Sequence, residues 1–477
     1  MAKIYVLIGI PGSGKSTYAK ILKERYYCEI VSSDIVRNNH PDWKEEMIFP
    51  EVYKLCASYL KNDIDVIYDA TSITPNVRCR LVSELLPYGV SYEREAYYFP
   101  ISYKDCYARV SFRNENPEER FFPLEALKSY SERIIAPSFC EGFSAIHIID
   151  QTKLCDINSK LLNDLVISND QGYAFFYQDE RGKVENYQGH EADDESPMIS
   201  SKTNFRLASV SKQFIGYAIY KLIKENKLSY DTLVNDVLYL GEYAKDITIK
   251  NLLTHTSGIL DYENMEHSDE QIHDNDVLMF LQKQDHTNFS PNSKYSYSNS
   301  AFVLLGLIIE KVSGRKIDDY IENEIFSKVG MTSSKVNIQG VTDIKNRALG
   351  HKVVGGKLII KDQYWCSATI GDGGLYSSVD DLNKWLDHLM NLYKNSYDDY
   401  KEYFEANILE TGENSEYGFG IRHIVRKGVD IIYHCGETIG TNTVIGFIPS
   451  ENKKFIFLTN YDGIDASKMI QKLVNII

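Results

Sequence analysis

This chain has no C-x-x-C pair and no close cluster of cysteine and histidine; its eight cysteines stand apart at 28, 56, 79, 106, 140, 155, 366 and 435. That spacing fits reduced thiols in a cytosolic protein better than a disulfide framework. No apolar stretch approaches the ~18–20 residues needed to span a bilayer, so no membrane partner is expected. The opening residues MAKIYVLIGI lack the small-residue cleavage site of a signal peptide, and the expected location is cytoplasmic. Positive charge is also short. The 477 residues carry 52 Lys and Arg against 67 Asp and Glu, a formal net charge of −15. Such a balance argues against coating nucleic acid or anionic membrane by charge alone, while leaving room for a local basic pocket.

What is present points to several folded domains. A content of 43% hydrophobic and 12% aromatic residues is ample for large cores and excludes a disordered or fibrous chain. At roughly 100–200 residues per domain, the length predicts more than one. Charge is uneven: residues 1–150 carry 18 basic and 21 acidic groups, the remainder 34 and 46. The first third is nearly neutral and the rest strongly acidic.

Residues 3–9, KIYVLIG, form a continuous apolar run of the kind that makes a buried parallel strand. Gly9-Ile-Pro-Gly12-Ser13-Gly14-Lys15-Ser16-Thr17 follows, and then the helix-forming YAKILKERY. This is G-x-x-x-x-G-K-S in the context it requires. Its glycines let backbone N–H groups curl around phosphates, and the helix N-terminus adds positive potential. Lys15 is placed to reach the outer phosphates and the Ser16 hydroxyl to ligate Mg²⁺. Further strands are expected at 28–33, 65–69, 91–99 and 145–150, with a helical stretch around 43–61. Alternating strands and helices describe an α/β doubly wound parallel sheet, with ligands at the strand C-terminal ends. Asp34 and Arg37 follow the second strand and Asp69 ends the third, so all three point to the nucleotide edge. A carboxylate there can take a proton from an acceptor hydroxyl or hold the metal's water shell; for Asp34, a helix cap is the competing role. Arg109 and Arg113 lie four apart on an expected helix, with Arg120 beyond, either as a phosphate-clamping lid or as a solvated charged face.

GIPGSGKST, SSDIVR, VIYDATS, the R-x-x-x-R helix and P-x-x-x-EGF (Pro137, Glu141 to Phe143) together resemble the P-loop kinase family that includes polynucleotide 5′-hydroxyl kinases. The resemblance covers about the first 150 residues. It implies ATP and Mg²⁺ held by Gly9, Gly12, Ser13, Gly14, Lys15, Ser16, Thr17, Arg109 and Arg113. It further implies Asp69 with Ser16 at the metal, Asp34 as general base, and Arg37 on the acceptor. The acceptor is a hydroxyl of a polynucleotide or of a small molecule, and the lack of a basic stripe disfavours the polynucleotide.

Residues 151–168 read as a final helix and connector rather than a flexible Gly/Ser linker. A strand pair follows, GYAFFYQDERGKVENYQG, and then an exposed loop, HEADDESP. In FRLASVSKQFIGYAIYKLIKENKL, apolar residues at 214, 215, 218, 219 and 222 have helical spacing. Ser209 and Lys212 sit three apart at the start of that helix, on one face. A serine hydroxyl needs a base to become a nucleophile, and a desolvated lysine at a helix N-terminus has the lowered pKa to serve. Alone, S-x-x-K is common by chance and reads first as a helix cap and a surface lysine. Tyr297-Ser-Asn299 stands at the mouth of another apolar-faced helix, with Asn299 placed to cap it; a tyrosine beside a cationic lysine can ionise enough to act as base. His434-Cys-Gly436 lies between the apolar run VDIIY and ETIGTNTVIGFIPS, where a glycine lets a strand backbone approach a bound acyl group.

In the order S-x-x-K, Y-x-N, H-x-G, the set resembles the penicillin-binding-protein-like serine hydrolases: class C β-lactamases, D-Ala-D-Ala carboxypeptidases, D-aminopeptidases and esterases. LLTHTSGI, GDGGLYSSVDDL, YGFGI and FIFLTN support it. The resemblance implies an antiparallel sheet flanked by helices plus a helical subdomain, without a cofactor. It implies attack by Ser209, proton transfer by Lys212 and Tyr297, substrate contact by Asn299, and an oxyanion hole of the Ser209 and Glu437 N–H groups. The substrate would be a small or peptide-like amide or ester. Where many β-lactamases have K-T-G, this chain has His434-Cys435-Gly436, which favours esterase, amidase or aminopeptidase chemistry over recognition of a carboxylate. The expected organisation is a kinase-like domain over 1–155, a connector over 156–167 and a hydrolase over 168–477. The competing expectation is a ligand sensor in which either domain acts as a switch.

Overall fold

A computed structural model of the chain describes residues 2–114, 121–149, 160–162, 172–268, 270–355 and 357–476. The chain divides into two compact units, Met1–Ile157 and Asn158–Ile477, each with its own core. Of the expected final helix and connector only residues 160–162 are described, and they are helical.

The first unit is a five-stranded parallel sheet: β1 (Lys3–Ile8), β2 (Cys28–Ser32), β3 (Asp65–Asp69), β4 (Glu93–Tyr98) and β5 (Ala145–Ile148), in the order β2-β3-β1-β4-β5. β1 is central, and its residues 4–8 are all buried because helices cover both faces. The pleat divides them between two layers. Ile4, Val6 and Ile8 enter one core with Val52 and Cys56 of the helix Glu45–Lys61. Tyr5 and Leu7 enter the other with Tyr18, Ala19 and Leu22 of the helix Lys15–Arg25. An uninterrupted apolar run is therefore what a central strand of such a sheet requires.

The second unit is built on β6 (Tyr173–Asp179), β7 (Gly182–Gln188), β8 (Phe205–Arg206), β9 (Lys335–Val336), β10 (His351–Val354), β11 (Lys357–Ile360), β12 (Leu375–Ser377), β13 (Arg422–Arg426), β14 (Val429–Thr438), β15 (Thr441–Ile448) and β16 (Lys453–Thr459). Six form an antiparallel sheet in the order β13-β14-β15-β16-β6-β7. β8, β12 and β9 form a small sheet, and β10 with β11 a hairpin. The helix Val379–Asn395 packs against the large sheet. Its Trp385 is fully buried against Phe214 and Tyr217 of the helix Lys212–Lys224, and its indole N–H donates to Gln213 Oε1 at 2.9 Å. The helix Asn299–Ser313 packs on Lys212–Lys224 and on the short helices Ile249–Leu253, Asp274–Gln282 and Ile317–Ile321. Phe214, Ile215, Ala218, Ile219 and Leu222, the positions with helical spacing, are all buried. The fold is thus α/β in both units, a doubly wound parallel sheet and then an antiparallel sheet with a helical region. Among the described residues no helix is long and apolar enough to cross a membrane.

Candidate active site

Ser209 lies not in the helix but in a 3-10 turn, Ala208–Ser211, between β8 and the helix that begins at Lys212. Ala208 takes φ +48°, an uncommon left-handed conformation for a residue with a side chain, at the sharp turn just before the serine. The next turn brings Lys212 back beneath it. Lys212 Nζ is 3.0 Å from Ser209 Oγ, 2.7 Å from Asn299 Oδ1 and 2.8 Å from the Asp372 carbonyl oxygen. The lysine is completely buried. Loss of water pushes its pKa down to about 8, against a partial upward pull from Asp372, Asp261 and Glu263. A lysine so placed is a base near neutral pH.

Asn299 is the first residue of its helix, and the cap is its neighbour: Ser298 Oγ accepts the Ala301 N–H at 3.2 Å. The expected capping role for Asn299 is therefore corrected. Its own N–H goes to Asp261 Oδ2 at 2.6 Å, which leaves its side chain to meet Lys212. Tyr297 lies over the same ammonium, its ring centroid 5.0 Å from Lys212 Nζ. Burial raises the Tyr297 pKa, and Ser209 nearby only partly offsets this. Its buried hydroxyl makes no hydrogen bond of good geometry among the described residues. The expectation of an ionised tyrosine is corrected accordingly. In the resting site Tyr297 is a neutral phenol, because the low-dielectric surroundings penalise the phenolate more than the lysine stabilises it.

β14 carries the third motif. Gly436 is needed where it is, since a Cβ there would fall 2.2 Å from the Leu207 carbonyl oxygen and 3.1 Å from the Ser209 nitrogen. Only glycine lets the strand lie so close to the serine's backbone amide. Glu437, the next residue, is exposed and pairs in register with Asn442. His434 is buried, with Nδ1 2.6 Å from the Cys435 carbonyl oxygen and Nε2 2.8 Å from the Tyr417 hydroxyl. Burial, then the charges of Arg422 and Lys212, hold its pKa well below the usual value. It is a neutral imidazole with both nitrogens engaged, and cannot replace the charge of a lysine.

These strands and helices converge from residues 209 to 437, and the whole of that span is matched by a family model: β-lactamase over residues 171–473. The chain belongs to the β-lactamase family. An AAA-domain model matches residues 4–137. Penicillin-binding protein 4* of Bacillus subtilis (strain 168) is 30% identical over 279 residues, 54% of this chain and 61% of that protein. Protein flp of Staphylococcus aureus (strain MRSA252) is 25% identical, over 60% of this chain and 58% of its own length. The chain thus spans about three-fifths of the length of these curated relatives. Among solved structures, a penicillin-binding protein from Bacillus halodurans superposes with a TM-score of 0.58 at 24% identity, over 67% of this chain and 99% of that one. That likeness shows the fold.

Several residues of this β-lactamase-family domain were not singled out from the sequence. Asp372, whose carbonyl holds Lys212, also accepts from the Tyr262 hydroxyl at 2.6 Å. Asp261 anchors the Asn299 amide. Arg422, half-buried over the Tyr417 ring, has no ion-pair partner among the described residues. Asp372 lies within the supporting stretch GDGGLYSSVDDL, Arg422 directly follows YGFGI and Asp261 stands two residues past LLTHTSGI; none of these stretches carries chemistry on its own.

The AAA-domain match falls on the parallel sheet. Gly12 and Gly14 take φ +81° and +85°, and a Cβ on Gly9 would lie 2.4 Å from Ser13 Oγ. Lys15 is buried, with Nζ donating to the Ile10 carbonyl at 3.0 Å, and burial lowers its pKa. Ser13 Oγ is buried without a hydrogen-bond partner, while Ser16 and Thr17 are exposed at the helix start. Asp69 is buried at the end of β3 beside Lys15 and Ser16, and burial raises its pKa. Arg109 and Arg113 do share the helix Tyr103–Asn114; Arg109 Nη1 donates to the Gly12 carbonyl at 3.3 Å, and Arg113 Nε is buried without a partner. Arg120 lies outside the described residues. Asp34 is in the first turn of the helix Ser33–Asn39, and the cap is Ser32. Arg37 donates to Asp34 Oδ1 at 2.9 Å and binds both oxygens of Glu45, so an acceptor would have to displace a carboxylate to reach it.

Proposed function

We propose that the domain over residues 168–477 is a serine hydrolase that cleaves a small or peptide-like amide or ester through an acyl-enzyme, in a cytoplasmic protein. The observation that carries this is the contact of Ser209 Oγ with a fully buried Lys212 whose pKa falls to about 8. Neutral Lys212 takes the Ser209 proton as Oγ attacks the carbonyl carbon. Asn299 and the Asp372 carbonyl orient the ammonium that forms. The oxyanion is held by the N–H groups of Ser209 and Glu437, which Gly436 allows to converge. The proton then passes from Lys212 by way of the neutral Tyr297 phenol to the leaving amine or alcohol. Water repeats the sequence on the ester and frees Ser209. A neutral His434 in the third motif supports amidase, aminopeptidase or esterase substrates, and the seven cysteines among the described residues, all free thiols, support the cytoplasmic setting.

The domain over residues 1–155 is read as an ATP-dependent kinase acting on a hydroxyl, of a small molecule in preference to a polynucleotide. The unpartnered Ser13 hydroxyl, the left-handed glycines and the folded-back Lys15 fit a phosphate cradle. Gly9 to Thr17, with Arg109 and Arg113, would hold ATP, and Ser16 with Asp69 would hold Mg²⁺; bound ATP supplies the phosphoryl group. Asp34 accepts the acceptor's proton, and Arg37 orients the acceptor once the acceptor has displaced Glu45 from it. The test is twofold. Wild type should turn over an activated ester many times and Ser209→Ala should not; a single stoichiometric acylation would leave only a sensor. ATP with Mg²⁺ should bind wild type and not Lys15→Ala, and metabolite profiles of both variants against wild type should reveal the acceptor and the acyl substrate. Binding without phosphoryl transfer to any compound would reduce this domain to a switch.

A further inference from the structure

His255 is completely buried, sits at φ +56°, and has no part in the steps above. It brackets Tyr297 from both sides. Its carbonyl oxygen accepts the Ser296 N–H at 2.9 Å, and its ring Nδ1 accepts the Ser298 N–H at 3.0 Å. The backbone before and after the phenol therefore hangs on one residue 42 positions earlier. The imidazole also packs on the phenol itself, with ring centroids 4.3 Å apart, and on Tyr417 and Phe302 at 4.5 and 5.0 Å. Because Nδ1 accepts, the proton of the neutral ring is on Nε2. Burial, then the positive charges of Lys212 and Arg422, keep the ring neutral and so keep the acceptor available. Nε2 has no hydrogen-bond partner among the described residues. A buried unpaired donor is a cost that an apolar residue would avoid. The site tolerates it in return for what Nδ1 holds.

We infer that His255 is a positioning residue: it sets the backbone of residues 296–298 so that the Tyr297 phenol stands over Lys212 Nζ. Its catalytic meaning rests on the hydrolase reading, but the bracket itself does not. Two full-chain variants test it. His255→Asn keeps an acceptor oxygen and is a residue that tolerates positive φ. His255→Leu keeps bulk and removes the acceptor. With ethyl acetate, whose alkoxide leaves only with the relayed proton, followed by titration of the acid released, and folding checked by circular dichroism, His255→Leu should lose ~10²-fold in kcat with KM changed less than ~2-fold, as for a misplaced catalytic group. His255→Asn should stay within ~5-fold of wild type in kcat, because it restores the Ser298 bond. In parallel, amide hydrogen exchange read by mass spectrometry on the peptide spanning 296–298 should be ~10-fold faster or more in His255→Leu and unchanged in His255→Asn. A folded leucine variant with wild-type kcat would overturn the inference, and so would an asparagine variant as slow as the leucine one. If wild type itself fails to turn over, the hydrolase reading falls, and the exchange measurement alone decides the bracket: unchanged exchange in His255→Leu sinks it. If the leucine variant does not fold, a loss of more than ~10-fold in the asparagine variant sinks it as well.

Discussion

Raising the pH from 7 to 9 should speed acylation of Ser209 about tenfold and then bring it to a plateau. Lys212 must be neutral to take the serine's proton. With its pKa near 8, about one molecule in ten carries neutral Lys212 at pH 7, against about one in three thousand for a lysine at its ordinary value. The neutral fraction reaches about nine-tenths at pH 9, which gives the tenfold rise and the plateau. The assay is the pH dependence of kcat/KM for an activated ester, which reports the free enzyme, with Ser209→Ala as the blank for alkaline hydrolysis. Because Asp261, Asp372 and Glu263 pull the Lys212 pKa upward, Glu263→Gln should move the midpoint to lower pH. Lys212→Arg should lose ~10²–10⁴-fold and show no plateau, since a guanidinium keeps its proton throughout. A rate that keeps climbing past pH 10 would place Lys212 at its ordinary pKa and refute the argument. So would a flat profile.

Gly436→Ala should abolish hydrolysis while the N-terminal unit still binds ATP, because the new methyl would fall 2.2 Å from the Leu207 carbonyl oxygen and push β14 off the serine turn; activity with an ATP titration on the same variant checks it. Glu141→Ala should destabilise the N-terminal unit by about 3–5 kcal/mol in chemical denaturation, because it strands the buried Arg78 guanidinium, which donates to Glu141 at 2.7 and 2.8 Å. Arg78 lowers the Glu141 pKa, so the pair's contribution is present above the ordinary glutamate value and is lost as pH falls through the lower folded one. Asp274, buried with Oδ1 accepting the Ile370 N–H at 2.9 Å, has its pKa pushed up to about 8. Its carboxyl is protonated in the folded state and ionised in the unfolded one over that window, so stability should fall as pH rises from about 4 to 8, and Asp274→Asn should flatten that fall in thermal melts.

Much of the architecture was legible because its signals are local. The apolar run of β1 can only be a strand covered on both faces, and G-x-x-x-x-G-K-S between a strand and a helix declares its loop. Where reading and structure part, the deciding contact is distant in the chain. Ser298 and Asn299 are both good caps, and the choice between them falls to Asp261, which takes the Asn299 amide. Arg37 looks free to bind an acceptor until Glu45 folds back on it. Tyr297 beside a lysine suggests a phenolate, yet the ionisation of such a pair depends on how much water is excluded.

The amino-acid sequence by itself determined which groups exist and in what order: a serine and a lysine three apart, Y-x-N, H-x-G, and the phosphate loop ahead of them. Their chemistry as a set was decided by the tertiary structure. The Lys212 pKa falls because folding strips the side chain of water, and Asn299 and Asp372, 87 and 160 residues further along, fix where its nitrogen stands. Desolvation and long-range hydrogen bonds are properties of a neighbourhood, and a neighbourhood exists only once the chain has folded.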